Sequence, residues 1–267
     1  METKQIIDNR IDRLFRKKQE RVLSVYFTSG YPGKGDTQSI ILSLQKSGAD
    51  MIEVGIPFSD PVADGPTIQS SNQKALDGGM HLGLLMEQLK EIKDDINIPI
   101  IMMGYLNPII QYGVDRFCAD CQELGIDGLI LPDLPVQEYL DDYQDLFNRH
   151  QLHHIFLVTP QTSEDRIRWI DDHSDGFIYA VASASTTGAK KDIDSQQISY
   201  FKKLRSMQLR NPWLIGFGIS NQQTFDTACQ YGAGAIIGSA FIKELAKSRD
   251  LEKDIEVFVA SIKGAEA

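Results

Sequence analysis

The chain has 267 residues, of which 42% are hydrophobic and 24% are charged, an ordinary composition for a globular protein. A net charge of −10 argues against a nucleic-acid-binding surface, and no apolar run approaches the roughly 18 residues of a membrane-spanning helix. The polar N-terminus lacks the apolar core of a secretory signal, and three cysteines fit a reducing compartment better than a disulfide framework. We therefore expect a cytoplasmic protein with no nucleic-acid or membrane partner.

Strand-like and helix-like segments alternate along the chain. The apolar runs predict strands at 22–28, 50–55, 99–105, 128–134, 154–159, 176–182, 213–218 and 235–238. Helical spacing predicts helices at 6–20, 36–47, 82–93, 114–124, 137–149, 164–172, 195–207 and 222–231, and helical pattern continues to about residue 262. The strands are apolar throughout, which is typical of parallel strands that are buried on both faces.

Eight strand–helix units in about 250 residues match the size and order of a (β/α)8 TIM barrel, here with an extra N-terminal helix. No linker or change of composition interrupts residues 1–267, so we expect a single domain. A doubly wound open sheet is the competing topology. Its dinucleotide-binding fingerprint, Gly-x-Gly-x-x-Gly after an early strand, is missing from the sequence.

A carboxylate, Glu53, interrupts the second predicted strand. Burying an unpaired carboxylate costs several kcal/mol, so its pKa should rise toward neutrality, which suits a proton-transfer group. A satisfied ion pair in the core is the alternative, and the strand alone does not decide between them. The Pro/Gly/Ser/Asp-rich loop that follows carries Asp60 and Asp64 and favours a functional interpretation.

In such a barrel the active site lies at the C-terminal ends of the strands. Polar candidates at these positions are Glu53, Asp64, Tyr105, Asn107, Asp133, Thr159 and Tyr179. Glycine-rich turns follow the last three strands, at 185–189, 216–220 and 238–240, and predict a phosphate cradle of backbone N–H groups. The apolar residues Tyr26, Met103, Leu131 and Phe217 either pack in the core or line a pocket for a flat aromatic substrate.

Two histidine and cysteine motifs do not indicate a metal site. Cys118-x-x-Cys121 falls within a predicted helix and has no second ligand pair, and His153-His154 begins a strand at the opposite end of the barrel. No predicted strand contains a lysine, which argues against a Schiff-base aldolase. We expect neither a metal nor an organic cofactor.

The run from Glu53 to Pro66, EVGIPFSDPVADGP, closely resembles the signature of the tryptophan synthase alpha subunit family. The resemblance spans the chain and includes the segments at 28–32, 104–108, 133–135, 187–188, 216–220 and 238–240. It implies a (β/α)8 barrel and a retro-aldol cleavage of indole-3-glycerol phosphate to indole and glyceraldehyde 3-phosphate in L-tryptophan biosynthesis. Less similar alternatives are another phosphate-binding barrel, such as indole-3-glycerol phosphate synthase or a phosphosugar isomerase, and a binding subunit without chemistry of its own.

The resemblance also implies roles for individual residues. Glu53 would be the catalytic acid/base, and Asp64 would accept the indole N–H and stabilise the positive charge of the indolenine. Tyr179 would border the glycerol phosphate. The remaining substrate-binding residues would be Tyr26, Met103, Tyr105 and Leu131 around the indole, Gly218, Gly238 and Ser239 at the phosphate, and Thr187 and Gly188 on a mobile loop. Phe217, one of the apolar candidates above, is also expected to bind substrate.

A beta subunit is the partner that the resemblance implies, in an alpha2beta2 tetramer. The loop from Phe58 to Pro66 would face it, with Asp60 and Pro61 at the contact. One segment departs from the family pattern: Ala182 and Ser185 stand where a Ser and a Gly are expected. The departure leaves the predicted chemistry intact and puts the closing of the mobile loop in doubt.

Overall fold

The computed structural model describes residues 7–182, 193–216 and 218–264 of the chain. Within these ranges nine strands form one sheet, in the order β5-β4-β3-β2-β1-β9-β8-β7-β6, and every pairing is parallel. The strands are β1 (Val22–Thr28), β2 (Met51–Gly55), β3 (Ile100–Met103), β4 (Gly128–Ile130), β5 (His153–His154), β6 (Phe156–Val158), β7 (Ile178–Val181), β8 (Trp213–Gly216) and β9 (Gly234–Ile237).

The two ends of this sheet meet at Ile155. Strand β5 pairs with β4, β6 pairs with β7, and Ile155 alone separates β5 from β6. The two short strands therefore act as one fifth strand that changes partner along its length and brings the sheet round into a barrel. The predicted (β/α)8 barrel is confirmed, and the predicted strand at 154–159 is divided because its two halves bond to different neighbours.

Helices surround the barrel. They are α1 (Arg10–Lys17), α2 (Thr37–Lys46), α3 (Pro66–Asp77), α4 (Leu82–Ile92), α5 (Leu106–Tyr112), α6 (Val114–Glu123), α7 (Val136–Glu138), α8 (Gln144–Arg149), α9 (Glu164–His173), α10 (Ser195–Ser206), α11 (Gln222–Cys229), α12 (Ser239–Leu245) and α13 (Leu251–Lys263). A 3-10 turn (Lys93–Asp95) follows α4, and a π-helical stretch (Tyr139–Tyr143) joins α7 to α8.

Helices α3 and α5 are absent from the sequence prediction, in which neither segment was assigned to a helix or a strand. Helix α3 begins directly after the acidic loop, with Gly65 as N-cap and Pro66 at its first position, where proline's missing N–H costs nothing. The predicted helix at 137–149 is interrupted by the π-helical stretch. The predicted helix at 6–20 is observed only as α1, from Arg10 to Lys17.

Apolar side chains form two clusters, one inside the barrel and one between the strands and the helices. The inner cluster contains alternate strand residues, among them Met51, Ile101 and Ile130. Helix α1 closes the N-terminal end of the barrel, because Ile11 joins the inner cluster and the ring of Phe15 lies 5.8 Å from that of Phe177. The opposite end of the barrel remains available for a site.

Polar contacts fix α1 to the strands. The Arg10 guanidinium pairs with the buried carboxylate of Asp127 at 2.8 Å, and the same carboxylate accepts the backbone N–H groups of Arg10 and Ile100. The predicted extra N-terminal helix is thus an integral part of the barrel. Among the described residues, no helix is long and apolar enough to cross a membrane.

Candidate active site

Glu53 lies in the middle of β2 with its side chain inside the barrel and no exposure to solvent. The hydroxyl of Ser24 on β1 donates to Glu53 Oε1 at 2.8 Å, whereas Oε2 has no hydrogen-bond partner in the described part of the chain. Burial raises the pKa of this carboxyl to about 8, and the Ser24 hydrogen bond opposes that rise. Glu53 is therefore protonated at neutral pH and close to the point where it can give up its proton.

Asp64 lies in the loop between β2 and α3 and is 7% exposed. Its Oδ2 accepts a hydrogen bond from the Tyr105 hydroxyl at 3.3 Å, and the same hydroxyl oxygen accepts the backbone N–H of Ala63 at 3.0 Å. Burial raises the pKa of Asp64 to about 6, while the Tyr105 hydrogen bond lowers it. Asp64 is thus mostly ionised at neutral pH, in contrast to Glu53.

Two buried tyrosines, Tyr26 on β1 and Tyr179 on β7, lie at the same end of the barrel. The pKa of each is raised by burial first, and then by the negative charges of Glu53 and Asp64. Because a charge acts strongly only over a short distance, both tyrosines lie near the two carboxyls. In the strand register, Tyr26 lies directly opposite Glu53.

Glycines on the neighbouring strands provide the room for these tyrosine rings. A Cβ added at Gly55 would lie 2.3 Å from the Tyr26 hydroxyl oxygen, and one at Gly216 would lie 2.2 Å from that of Tyr179. Both distances are far below van der Waals contact. The absence of a side chain at the ends of β2 and β8 therefore sets the positions of both rings.

The other apolar candidates divide between the two clusters. Met103 packs against both clusters, at the end of β3. Leu131 belongs to the outer cluster, whereas the residue before it, Ile130, belongs to the inner one. Side chains alternate along a strand, so Ile130 is the residue of β4 that faces the barrel interior. Ile130 is not among the sequence-based candidates, because residues 129–131 are all apolar and no alternation in the sequence marks the inward face.

Candidate phosphate-binding residues lie on turns at the same end of the barrel. Gly218 is exposed and has a φ of 82°, a conformation that glycine adopts readily. Gly238 is the N-cap of α12, and Ser239 is the first residue of that helix. A Cβ at Gly238 would lie 3.3 Å from the Tyr26 ring, so this turn adjoins the tyrosine. Thr187, Gly188, Phe217 and Ser185 lie outside the described residues.

Several other residues singled out in the sequence have local structural roles. Asp133 accepts the backbone N–H of Leu106 at 3.0 Å and so holds the first turn of α5. Thr159 bonds to Thr162 within its own loop. Ala182 is buried, and its N–H continues the pairing of β7 with β8 by donating to the Gly216 carbonyl.

The cysteine and histidine motifs are packed in the core. Cys118 and Cys121 are buried on α6 and free. The ring of His154 stacks on Tyr139 with centroids 4.8 Å apart, and burial lowers its pKa to about 3. Within the described ranges no group of three His, Cys, Asp or Glu side chains could hold a metal ion.

The loop between β2 and α3 presents residues of contrasting exposure. Asp60 is exposed and accepts a hydrogen bond from the Ser59 hydroxyl, whereas Pro61 is buried. Val62, next in the chain, is 84% exposed.

The chain is similar to known proteins over nearly its whole length. The sequence model of the family described as "Tryptophan synthase alpha chain" matches residues 13–266. The tryptophan synthase alpha chain of Flavobacterium psychrophilum is 57% identical over 89% of this chain and 95% of its own length. That of Parabacteroides distasonis is 52% identical, over 96% and 99% respectively.

A solved structure agrees with these relatives. The tryptophan synthase subunit alpha from Legionella pneumophila str. Paris superposes with a TM-score of 0.86 at 32% identity, over 96% of this chain and 98% of that one. The chain belongs to the tryptophan synthase alpha chain family, and its function is that of the alpha subunit in tryptophan biosynthesis.

Proposed function

We propose that Glu53 and Asp64 divide the acid–base work of cleaving indole-3-glycerol phosphate into indole and glyceraldehyde 3-phosphate. The observation that carries this assignment is that two buried carboxyls share one end of the barrel with pKa values on either side of neutrality, about 8 and about 6. At pH 7 one is a carboxylic acid and the other a carboxylate. Two carboxyls that titrate apart in this way can perform opposite tasks in one reaction.

The proton transfers balance over one turnover. The Glu53 carboxylic acid gives its proton to the indole ring carbon that bears the glycerol phosphate side chain. The Asp64 carboxylate accepts the indole N–H and stabilises the positive charge of the resulting indolenine. The Glu53 carboxylate then takes the proton of the adjacent glycerol hydroxyl; the carbon–carbon bond breaks, its electron pair returns to the ring, and an aldehyde forms. Glu53 ends the cycle protonated, as it began.

The substrate would lie between the tyrosines and the glycine turns. Tyr26, Met103, Tyr105 and Ile130 would surround the indole; Ile130 takes the role first assigned to Leu131, because it faces the interior. Tyr179 would border the glycerol phosphate, and the backbone N–H groups of Gly218, Gly238 and Ser239 would hold the phosphate. Thr187 and Gly188 are assigned by resemblance alone, and Phe217 by its place at the end of a predicted strand.

As an alpha chain this protein has a beta-subunit partner, and we propose an alpha2beta2 tetramer. The loop residues Asp60 and Pro61, with the exposed Val62, would form part of the contact. Ordering this loop costs free energy that a partner can supply, so activity should rise when the beta subunit binds. A single domain over residues 1–267 and a cytoplasmic location are part of the same proposal.

Indole release from indole-3-glycerol phosphate tests the proposal. The purified chain, Glu53→Gln and Asp64→Asn are each assayed with and without a beta subunit. We expect activity that increases with the partner and falls by at least about a thousandfold in each variant. Activity that survives Glu53→Gln would overturn the catalytic assignment, and a wild-type chain without activity under either condition would favour a binding subunit.

A further inference from the structure

The immediate surroundings of Glu53 contain one polar contact that the reaction scheme does not use. Ser24 is fully buried on β1. Its side chain points into the barrel, because it alternates with Leu23 and Val25, which belong to the outer cluster, and follows Val22 of the inner cluster at a spacing of two. Its hydroxyl donates to Glu53 Oε1 at 2.8 Å. A small polar residue therefore lies on an otherwise apolar part of the barrel wall, directly against the carboxyl.

The strand register shows how Glu53 reaches this hydroxyl. Ser24 pairs with Met51, and Tyr26 pairs with Glu53, so Ser24 is the diagonal neighbour of Glu53 toward the closed end of the barrel. Diagonal neighbours lie within reach of a long side chain. The contact therefore fixes the direction of the Glu53 side chain as well as satisfying one of its oxygens.

The two oxygens of Glu53 differ as a result. Oε1 is occupied by Ser24, and Oε2 is buried without a hydrogen-bond partner among the residues described. We infer that Ser24 is a positioning residue, which holds Oε1 and leaves Oε2 as the oxygen that exchanges a proton with substrate. This inference rests on the catalytic role proposed for Glu53 and adds the residue that orients it.

No other ionisable group around Glu53 makes a hydrogen bond to its carboxyl in the part of the chain that the structure describes. Tyr26 faces it from β1, Tyr179 from β7, and Asp64 from the loop after β2. None is a cation, and no ion pair to Glu53 occurs in the described ranges. The Ser24 hydroxyl is thus the one group that stabilises the Glu53 carboxylate there, since a hydrogen bond to a charged oxygen favours the charged form.

A titration of Glu53 tests the inference without relying on activity. The chain is labelled with ¹³C at the δ-carbon of glutamate, and the Glu53 signal is identified by its loss in Glu53→Gln. In Ser24→Ala we expect the midpoint of the Glu53 titration to rise by roughly one pH unit, because the carboxylate loses the hydrogen bond from the Ser24 hydroxyl. Ser24→Thr keeps the hydroxyl and should retain the wild-type midpoint.

Ser174 provides a matched control, since it is equally buried and its hydroxyl donates to the Ile170 carbonyl, not to a carboxylate. Ser174→Ala should leave the Glu53 midpoint unchanged. In the indole assay, Ser24→Ala should lower kcat roughly tenfold with little change in KM, and Ser24→Thr should restore it.

An unchanged midpoint in folded Ser24→Ala would overturn the inference, as would an unchanged kcat. These results are distinct from a failure of the proposed function. If Glu53→Gln remained active, the catalytic role of Glu53 would be lost, while the titration would still show whether Ser24 controls its ionisation.

Discussion

The Tyr105 hydroxyl donates to Oδ2 of Asp64 across 3.3 Å, and so links the residue that precedes α5 to the acidic loop after β2. The Ala63 N–H donates to the same hydroxyl oxygen. Tyr105 thus holds both Asp64 and the backbone beside it. The contact stabilises the Asp64 carboxylate and keeps its pKa below the value that burial alone would give.

Replacing Tyr105 by Phe should therefore raise the pKa of Asp64 above about 6. If the ionised form is required, the acidic limb of the kcat/KM profile will move to higher pH, and activity at pH 6 will fall more than activity at pH 8. A pH series of indole release measures both. Tyr112→Phe is a suitable control, because its hydroxyl bonds to Asp120 on α6. An acidic limb at the same pH as in wild type would show that Tyr105 does not control the pKa of Asp64.

The wild-type profile itself should be bell-shaped. Activity rises as Asp64 ionises near pH 6 and falls as Glu53 loses its proton near pH 8, so the optimum lies between these values. The measurement is kcat/KM for indole release from pH 5 to 9 in the presence of the beta subunit. A profile that stays flat through pH 8 would contradict the proposal that Glu53 acts first as an acid.

Glu53 should also make the fold less stable at high pH. Burial raises its pKa from 4.5 to about 8, so between these values the folded chain retains a proton that the unfolded chain has released. The contribution of this protonation to the stability of the fold is fully present below about pH 4.5 and is lost as the pH rises through 8. The free energy of unfolding of Glu53→Gln, taken relative to that of wild type, should therefore increase by on the order of 3 kcal/mol between pH 5 and pH 8.

Urea unfolding at several pH values measures this difference. Glu20→Gln serves as the control, since Glu20 is exposed to solvent. A difference between Glu53→Gln and wild type that does not change with pH would show that Glu53 titrates normally in the folded chain.

Gly216→Ala should disturb the end of the barrel. The new Cβ would lie 2.2 Å from the Tyr179 hydroxyl oxygen and 2.4 Å from two ring carbons, so the buried ring must move. We expect a loss of about 1–3 kcal/mol in stability together with reduced indole release. Gly35→Ala is the matched control, because a Cβ there meets no atom within 4 Å. Equal stability of the two variants would show that the Tyr179 ring shifts without cost.

Arg10→Met should loosen α1 from the end of the barrel. The substitution removes the cation that pairs with the Asp127 carboxylate, whose side chain is 5% exposed. We expect the free energy of unfolding to fall by about 3–5 kcal/mol. Arg16→Met on the same helix removes an exposed pair with Asp8 and should change little. Chemical denaturation of both variants measures the contrast, and similar midpoints would argue against an anchoring role for Arg10.

Much of the fold could be predicted from the sequence, since each element carries its own pattern. The strand from Val22 to Thr28 was predicted with its observed bounds, and α2, α9 and α10 within one residue at each end. Helices α3 and α5 were missed because proline lies near the start of each; in addition, α3 has few apolar positions and α5 is only 7 residues long. The division of the fifth strand at Ile155 could not be predicted, because it depends on which neighbours are available in space.

In the candidate site, too, some residues could be predicted from the sequence and others could not. Glu53 and Asp64 could be selected because a carboxylate in an apolar strand and an acidic loop are visible locally. Ser24 and Ile130 were missed, although both lie on strands that were correctly predicted. Their importance depends on which face of the strand they occupy and on what lies opposite, and an apolar strand without clear alternation hides that face.

Local patterns along the chain were enough to predict the barrel, the family and most of the order of strands and helices, and to select the two carboxylates as candidates, because these follow from periodicity and from one contiguous motif. The difference between the two carboxyls required the folded chain. Glu53 is enclosed by barrel strands and bonded to Ser24, whereas Asp64 is held in a loop by Tyr105. Burial and hydrogen bonding by residues distant in the chain set the two pKa values, and those contacts exist only after folding.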